Sequence, residues 1–193
     1  MNKEVISLFP TPVGIYQIDI DLGLVYKNLS KFKTGPHGLL EDSNSSYDQD
    51  SSVLYDEDFK DLHMKIQTCV DDYVSIVQLQ PLVVTGSWYN EMNVGCKVNL
   101  HRHEGSVVSG AFYVNTKDAV PLRFKNPLLP YKMNDLHEGM SCQFSSPGVQ
   151  LPPESGNLVL FPSWLEHETD AEVGTRCVIS FNTLYKRMFF SDS

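Results

Sequence analysis

The sequence has few cysteines, no long apolar run and a deficit of positive charge, and each shortage excludes a class of protein. Its four cysteines, Cys69, Cys96, Cys142 and Cys177, include no C-x-x-C pair, and their even number alone does not indicate disulfides. No stretch is apolar for long enough to cross a membrane. The first residues lead into a proline-broken segment rather than the apolar run of a secretory signal. We therefore expect reduced thiols, no membrane partner and a cytoplasmic location.

The charge balance is acidic, with 15 Lys and Arg against 24 Asp and Glu and a formal net charge of -9. Sequence-independent binding of nucleic acid needs a basic surface, so we do not expect a nucleic-acid partner. A length of 193 residues with 41% hydrophobic content suits one domain over residues 1–193. A small-molecule or peptide substrate is the expected partner, and a homodimer is left open.

Helical periodicity is clearest between residues 56 and 79, which we predict to be one long helix ended by Pro81. A shorter helix is predicted over residues 24–33. The segments 34–52 and 125–138 are predicted to be loops that cover the mouth of a site. The apolar positions of the long helix recur at steps of three and four: Phe59, Leu62, Ile66, Val70, Tyr73, Val74 and Val77.

Short strands separated by Gly, Pro, Asn and Asp account for most of the remaining chain. Many short strands around one long helix predict a mainly β sandwich or barrel with helical cover. The predicted strands are 13–20, 82–90, 94–101, 107–115, 121–124, 140–144, 157–161 and 176–185.

His101 and His103 are the most informative residues, because they lie two apart in a segment with strand character. Side chains at i and i+2 of a strand point to the same face, so the two imidazoles converge. His167 follows a second predicted strand, and Arg176 opens the last one. Three histidines and a following arginine form the pattern of a non-haem iron site with an anionic cosubstrate. A salt bridge from Arg176 to Glu168 or Glu172 is the alternative interpretation of that arginine.

The joint pattern resembles a small 2-oxoglutarate/iron(II) oxygenase family found in marine bacteria and their phages. The resemblance covers nearly the whole chain and is tightest at 86–114 and 156–182. The motifs that carry it are Leu8-Phe9-Pro10-Thr11-Pro12-Val13, Trp88-Tyr89-Asn90, His101-x-His103-x-x-Ser106-x-x-Ser109-Gly110-x-x-Tyr113-Val114, Gly156-x-Leu158-x-Leu160-Phe161-Pro162-Ser163-Trp164-Leu165-x-His167 and Arg176-x-x-x-Ser180-Phe181-Asn182.

The resemblance implies a double-stranded β-helix, or jelly-roll, core. It also implies Fe(II) held by His101, His103 and His167, and 2-oxoglutarate held by Arg176. Oxygenases of the wider superfamily usually carry a carboxylate where this chain has His103, and relatives often have Pro-Asn where it has Glu104-Gly105. Three ligand sets therefore stay open: all three histidines, Glu104 in place of His103, or two histidines with His103 outside the metal's shell.

Polar residues within the apolar strands are candidates for further cosubstrate contacts, because a buried polar group needs a hydrogen-bond partner. Tyr113, Ser109 and Asn182 are the three we select. No catalytic residue is expected beyond the metal ligands.

Three functions compete at this point. The first is an Fe(II)- and 2-oxoglutarate-dependent dioxygenase that hydroxylates its substrate and releases succinate and CO2. The second is a three-histidine dioxygenase that does not use 2-oxoglutarate, which an all-histidine site favours. The third is a non-catalytic metal-binding jelly roll, which bound metal together with the absence of any turnover would indicate.

Overall fold

The computed structural model describes residues 3–4, 6, 8–131 and 146–188, without the side chains of residues 41 and 42. Within this part of the chain the helices are α1 (Leu22–Leu29) and α2 (Lys60–Val77). The strands are β1 (Gly14–Gln17), β2 (Gly35–His37), β3 (Leu40–Ser45), β4 (Leu82–Met92), β5 (Lys97–Val98), β6 (Val108–Asn115), β7 (Leu122–Lys125), β8 (Gly148–Leu151), β9 (Asn157–Pro162), β10 (His167–Thr169) and β11 (Arg176–Tyr185).

The strands form two antiparallel sheets that face each other. The larger sheet has the order β1-β9-β6-β11-β4-β3-β2, with β5 paired to β3. The smaller sheet has the order β10-β7-β8. An apolar cluster with members from both sheets joins their inner faces: Tyr113, Leu122, Phe124, Val159, Phe161, Leu165 and Val178. The expected mainly β, jelly-roll architecture is therefore confirmed.

Strand alternation divides the larger sheet into two apolar faces. On β6, Phe112 belongs to the cluster beneath the helices and Tyr113 to the cluster between the sheets. Likewise on β11, Ile179 faces the helices and Val178 faces the smaller sheet. Successive strand residues point to opposite faces, so a continuous apolar strand sequence indicates cover on both sides. This arrangement keeps the helices away from the face that carries the polar site.

Helix α2 covers the outer face of the larger sheet, as the apolar periodicity predicts. Its buried residues are Leu62, Ile66, Val70, Tyr73 and Val74. The regular helix is shorter than predicted. A 3₁₀ turn over Glu57–Phe59 precedes it, and Gln78 ends it in the left-handed conformation.

Several predicted boundaries differ from the structure. The predicted loop 34–52 contains the β2–β3 hairpin, and the predicted strand 94–101 is reduced to β5. The short strands β8 and β10 were not predicted, because three or four residues carry too little periodicity. The predicted strand 140–144 lies outside the described residues.

No helix in the described part of the chain is long and apolar enough to cross a membrane. Cys69 and Cys177 carry free thiols.

Gly110 is required where β6 passes under Phe181 of β11. A Cβ atom at Gly110 would lie 2.2 Å from the Phe181 ring, and that ring is fully buried. Overpacking of this kind costs about 1–3 kcal/mol, so Gly110→Ala should lower the Tm by roughly 2–12 °C. Gly38→Ala is the matched control, because nothing lies within 4 Å of a Cβ there. Thermal unfolding followed by circular dichroism measures both, and an unchanged Tm in Gly110→Ala would contradict the tight packing.

Candidate active site

The three histidines are brought together by two chain segments that run side by side. The segment after β9 crosses from the larger sheet to the smaller one and ends at His167, the first residue of β10. His101 and His167 form a bridge in which each backbone N–H donates to the other's carbonyl, at 3.0 and 2.9 Å. The His103 N–H donates to the Ser163 carbonyl at 2.9 Å. Backbone hydrogen bonds therefore fix the backbone position from which each of the three imidazoles projects.

The imidazoles converge on one point. One nitrogen from each of the three rings lies within 4.8 Å of the other two. The ring centroids of His101 and His167 are 4.2 Å apart, and the rings of His103 and His167 are nearly parallel at 5.2 Å. The convergence of His101 and His103 expected from strand geometry is present, although neither residue lies within a named strand.

Backbone carbonyls select the tautomer of two of the rings. Nδ1 of His101 lies 2.9 Å from the Asn99 carbonyl, and Nδ1 of His167 lies 2.9 Å from the Leu165 carbonyl. A carbonyl only accepts, so each Nδ1 carries the hydrogen and each Nε2 keeps its lone pair. The Nε2 atoms of these two histidines are the ones available as ligands.

Burial keeps the imidazoles neutral. His167 is 5% exposed, and desolvation together with the nearby His101 lowers its pKa to about 3. Desolvation, followed by His101, lowers the pKa of His103 to about 4. The pKa of His101 is also lowered, mainly by desolvation. A metal ligand must be neutral imidazole, so the rings are in the required state at neutral pH.

The donor set fits a divalent metal ion. Nε2 of His103 lies 3.4 Å from Nε2 of His167. The His167 nitrogen is an acceptor, so the contact needs a shared proton or a cation. Imidazole suits iron among other transition metals, and three such donors on one side leave open positions for further ligands.

Glu104 is not part of the cluster. Its side chain is 80% exposed, and its carboxylate pairs with the Arg102 guanidinium at 3.0 Å. Within the part of the chain that the structure describes, no carboxylate joins the cluster of the three histidines. The wall of the cluster is aromatic instead. The centre of the Phe161 ring lies 4.7 Å from that of His167, and the centre of the Trp88 ring lies 6.0 Å from that of His103.

Arg176 is buried on the same inner face, at 3% exposure, and it is already paired. Its Nη2 lies 2.7 Å from Oε1 of Glu172 and donates to the Val120 carbonyl. Its guanidinium carbon lies 5.8 Å from the centre of the Tyr113 ring. Of the two partners that the sequence offered as alternatives, Glu172 is the one bound. Glu168 pairs with Lys125 at 2.8 Å and with Arg123 at 3.6 Å.

The structure separates the three other candidate cosubstrate residues. Tyr113 and Asn182 line the same cavity as the histidines and Arg176. Ser109 is fully buried, and its hydroxyl lies 2.7 Å from the Ser163 hydroxyl and donates to Oδ1 of Asn182 at 2.8 Å. Ser109 therefore lies behind Asn182 and orients it, instead of facing the cavity as the sequence interpretation expects.

The cavity has a volume of about 500 Å³ and includes His37 and Tyr47, which were not selected as site residues from the sequence. The β2–β3 hairpin contributes His37, and the turn after β3 contributes Tyr47. Tyr47 packs edge-on between His37 and Trp88, with both centroid distances 4.8 Å. Asn90 also lines the cavity, and its Oδ1 has no hydrogen-bond partner among the described residues. The polar composition of residues 34–52 does not predict a hairpin. The His and Tyr in this segment are the signal in the sequence that it could contribute to a site.

A family model described as "Putative 2OG-Fe(II) oxygenase" matches residues 86–182, which is half of the chain. The chain belongs to this family. It is an oxygenase with iron(II) and 2-oxoglutarate as cofactors, and the convergent histidines fit the iron. No curated protein is significantly similar to the oxygenase in sequence.

Solved structures share the fold of the oxygenase at low sequence identity. The non-haem α-ketoglutarate-dependent epimerase SnoN from nogalamycin biosynthesis aligns with a TM-score of 0.62 and 12% identity, over 90% of this chain and 78% of its own. A Trichoplax adhaerens prolyl hydroxylase aligns with a TM-score of 0.60 and 14% identity, over 94% and 87%. HygX from Streptomyces hygroscopicus aligns with a TM-score of 0.61 and 14% identity, over 91% of this chain and 84% of its own. The double-stranded β-helix fold is thereby confirmed.

Proposed function

We propose that His101, His103 and His167 hold the iron(II) of this oxygenase as an all-histidine triad. The single observation that carries the proposal is the convergence of three neutral imidazoles in a cavity that also contains a buried arginine. Glu104 is directed to solvent with Arg102, which argues against a carboxylate in place of His103. Nε2 of His103 lies 3.4 Å from Nε2 of His167, and this short distance argues against a site with only two protein ligands.

Arg176 is the proposed anchor for the distal carboxylate of 2-oxoglutarate, with the Tyr113 ring beside it. Asn182 lies six residues farther along β11, about 20 Å of strand, so it lines a different part of the cavity and does not join Arg176 in holding the cosubstrate as the sequence interpretation expects. A buried guanidinium is a strong partner for a carboxylate because its N–H groups form charge-assisted hydrogen bonds. Nε of Arg176 is buried and has no acceptor among the described residues, so this N–H is available to a ligand. Ser109 holds the Asn182 amide and is not among the residues that line the cavity.

When bound, iron(II) and 2-oxoglutarate supply dioxygen activation, in which 2-oxoglutarate, O2 and a C–H bond give succinate, CO2 and a hydroxylated product. The residues of the chain bind and orient. Phe161, Trp88 and Phe124 surround the imidazoles and keep water from the inner side of the site. The backbone bridge between His101 and His167 fixes the ligand geometry before any metal binds.

The proposed substrate is a small molecule or a peptide, which reaches the site past the β2–β3 hairpin. A cavity of about 500 Å³ falls within the range for small-ligand sites. Among the structural relatives, one was solved with a peptide fragment and another with hygromycin B. The net charge of -9 argues against nucleic acid. We also infer one domain over residues 1–193, a cytoplasmic location, a homodimer as the assembly to test, and an origin in marine bacteria or their phages, the last from the sequence motifs alone.

A three-histidine dioxygenase that does not use 2-oxoglutarate is the second candidate. Two observations favour it: the triad lacks a carboxylate, and Arg176 already has Glu172 as a counter-ion. Release of succinate from 2-oxoglutarate by the iron-loaded protein would exclude this second candidate. Oxygen consumption without succinate would support it instead.

Replacing a proposed ligand should remove the metal and leave the fold. His101→Ala and His167→Ala should each lower iron affinity by more than roughly a hundredfold, because a direct ligand matters more than an outer contact. Metal content after anaerobic dialysis, measured by mass spectrometry, reports the loss. His63→Ala is the control, because His63 lies on α2 with its ring against Tyr55. Full iron occupancy in either ligand variant would remove that residue from the site.

His103 and Glu104 can be distinguished directly. His103→Ala should lose iron, whereas Glu104→Ala should retain it because its carboxylate faces solvent. His103→Asp restores the more common 2-His-1-carboxylate set and should bind iron again. The same metal analysis checks all three variants. Retention of iron by His103→Ala together with its loss from Glu104→Ala would reverse the assignment.

Arg176→Ala should weaken 2-oxoglutarate and leave iron bound. A hydrogen bond to a charged group contributes about 1.5–3 kcal/mol, which is roughly ten- to over a hundredfold in affinity. Arg176→Lys should recover part of it, since lysine lacks the guanidinium fork. Anaerobic titration of the iron protein with 2-oxoglutarate, followed by charge-transfer absorbance, measures the affinity. An unchanged affinity in Arg176→Ala would leave the arginine as a structural partner of Glu172.

A further inference from the structure

Glu172 is the one carboxylate that reaches the proposed cosubstrate arginine, among the residues that the structure describes. Its side chain has no exposed surface, and its Oε1 lies 2.7 Å from Nη2 of Arg176. Its Oε2 accepts the Val120 N–H at 2.8 Å, while the Val120 carbonyl accepts from Arg176. Guanidinium, carboxylate and the peptide groups of Val120 thus form a closed ring of contacts.

The backbone of Glu172 is held as firmly as its side chain. Its N–H donates to the Cys96 carbonyl at 2.7 Å, and its own carbonyl accepts the Gly95 N–H at 2.8 Å. These bonds tie Glu172 to the turn after β4 and hold its carboxylate beside Arg176. An anion that arrives at Arg176 must therefore share the guanidinium with Glu172.

The local charge balance makes this sharing costly. Arg176 and Arg102 are the basic residues that line the described cavity, and Arg102 is exposed and paired with Glu104. One buried positive charge is thus already neutralised by one buried negative charge. A second carboxylate would place two negative charges on one guanidinium in a desolvated place, where repulsion between the two carboxylates is strong. Burial already raises the pKa of Glu172, against the lowering effects of Arg176 and the Val120 N–H.

We propose that Glu172 is an internal counter-ion that takes the place of the cosubstrate's distal carboxylate when the site is empty and lowers cosubstrate affinity when it is filled. The proposal rests on the proposed role of Arg176 in binding 2-oxoglutarate. Without ligand, Glu172 spares the fold a buried unpaired guanidinium, which would be strongly destabilising. With ligand, it competes for the same charge, so the two carboxylates share one arginine.

The experiment compares Glu172→Gln with the wild type in three measurements. Anaerobic calorimetry of the iron(II) protein gives the affinity for 2-oxoglutarate and for 2-oxobutanoate, which lacks the distal carboxylate, and thermal unfolding gives the Tm of the metal-free protein. Removing the competing charge should increase the affinity for 2-oxoglutarate roughly tenfold and leave the affinity for 2-oxobutanoate unchanged. The Tm should fall by roughly 5 °C or more, because Arg176 loses its counter-ion.

Glu168→Gln is the matched control, because Glu168 lies four residues earlier but pairs with Lys125 and Arg123. It should leave the 2-oxoglutarate affinity unchanged. Equal or weaker 2-oxoglutarate binding in Glu172→Gln would overturn the proposal and make Glu172 a support of Arg176 instead. No 2-oxoglutarate binding by the wild type would be a different result, since it would overturn the proposed role of Arg176.

A second pair of variants covers the case in which Glu172→Gln does not fold. Arg176→Gln with Glu172→Gln removes both charges together, so neither is left buried alone. If Glu172 repels the distal carboxylate, this double variant should bind 2-oxoglutarate more tightly than Arg176→Gln alone. Equal or weaker binding by the double variant would overturn the proposal on its own.

Discussion

The site depends on the backbone bridge between His101 and His167. The segment that follows β9 leaves the larger sheet at Pro162 and joins the smaller sheet at His167, so it spans the gap between the two layers. Two reciprocal hydrogen bonds hold it against the segment that follows β5. The side-chain rotamers alone do not set the ligand geometry, because these bonds fix the backbone positions of both histidines. The carbonyls of Asn99 and Leu165 then fix two of the rings.

Much of the architecture could be predicted from the sequence, because alternation on long strands and periodicity on α2 are strong signals. The pairs Phe112 with Tyr113 and Val178 with Ile179 each divide between the two apolar clusters, as a doubly covered strand requires. Short elements were missed. β10 has three residues, and the hairpin over 34–52 is polar, so neither carries a period long enough to recognise.

The site was predictable in its residue types but not in its internal contacts. The spacing of His101, His103 and His167 was visible, and the structure brings their nitrogens together. The choice of Glu172 over Glu168 was not, because it depends on which side of β10 and of the following turn each carboxylate occupies. Ser109 was selected because it is a polar residue within an apolar strand, yet its hydroxyl is hydrogen-bonded to the Ser163 hydroxyl and the Asn182 amide oxygen instead of facing the cavity.

On the proposed assignment, metal binding and substrate selection fall to different parts of the fold. Arg176 lies on β11, which packs against apolar clusters on both faces, and the His167 ring contacts Phe124 and Phe161 of the cluster between the sheets. His37 and Tyr47 reach the same cavity from the edge hairpin and the turn that follows it. An edge hairpin has a partner on one side only, so its sequence can change with little effect on the core. Selection pressure for a new substrate would therefore act first on this hairpin, while the iron and 2-oxoglutarate positions stay fixed by the sheets beneath it.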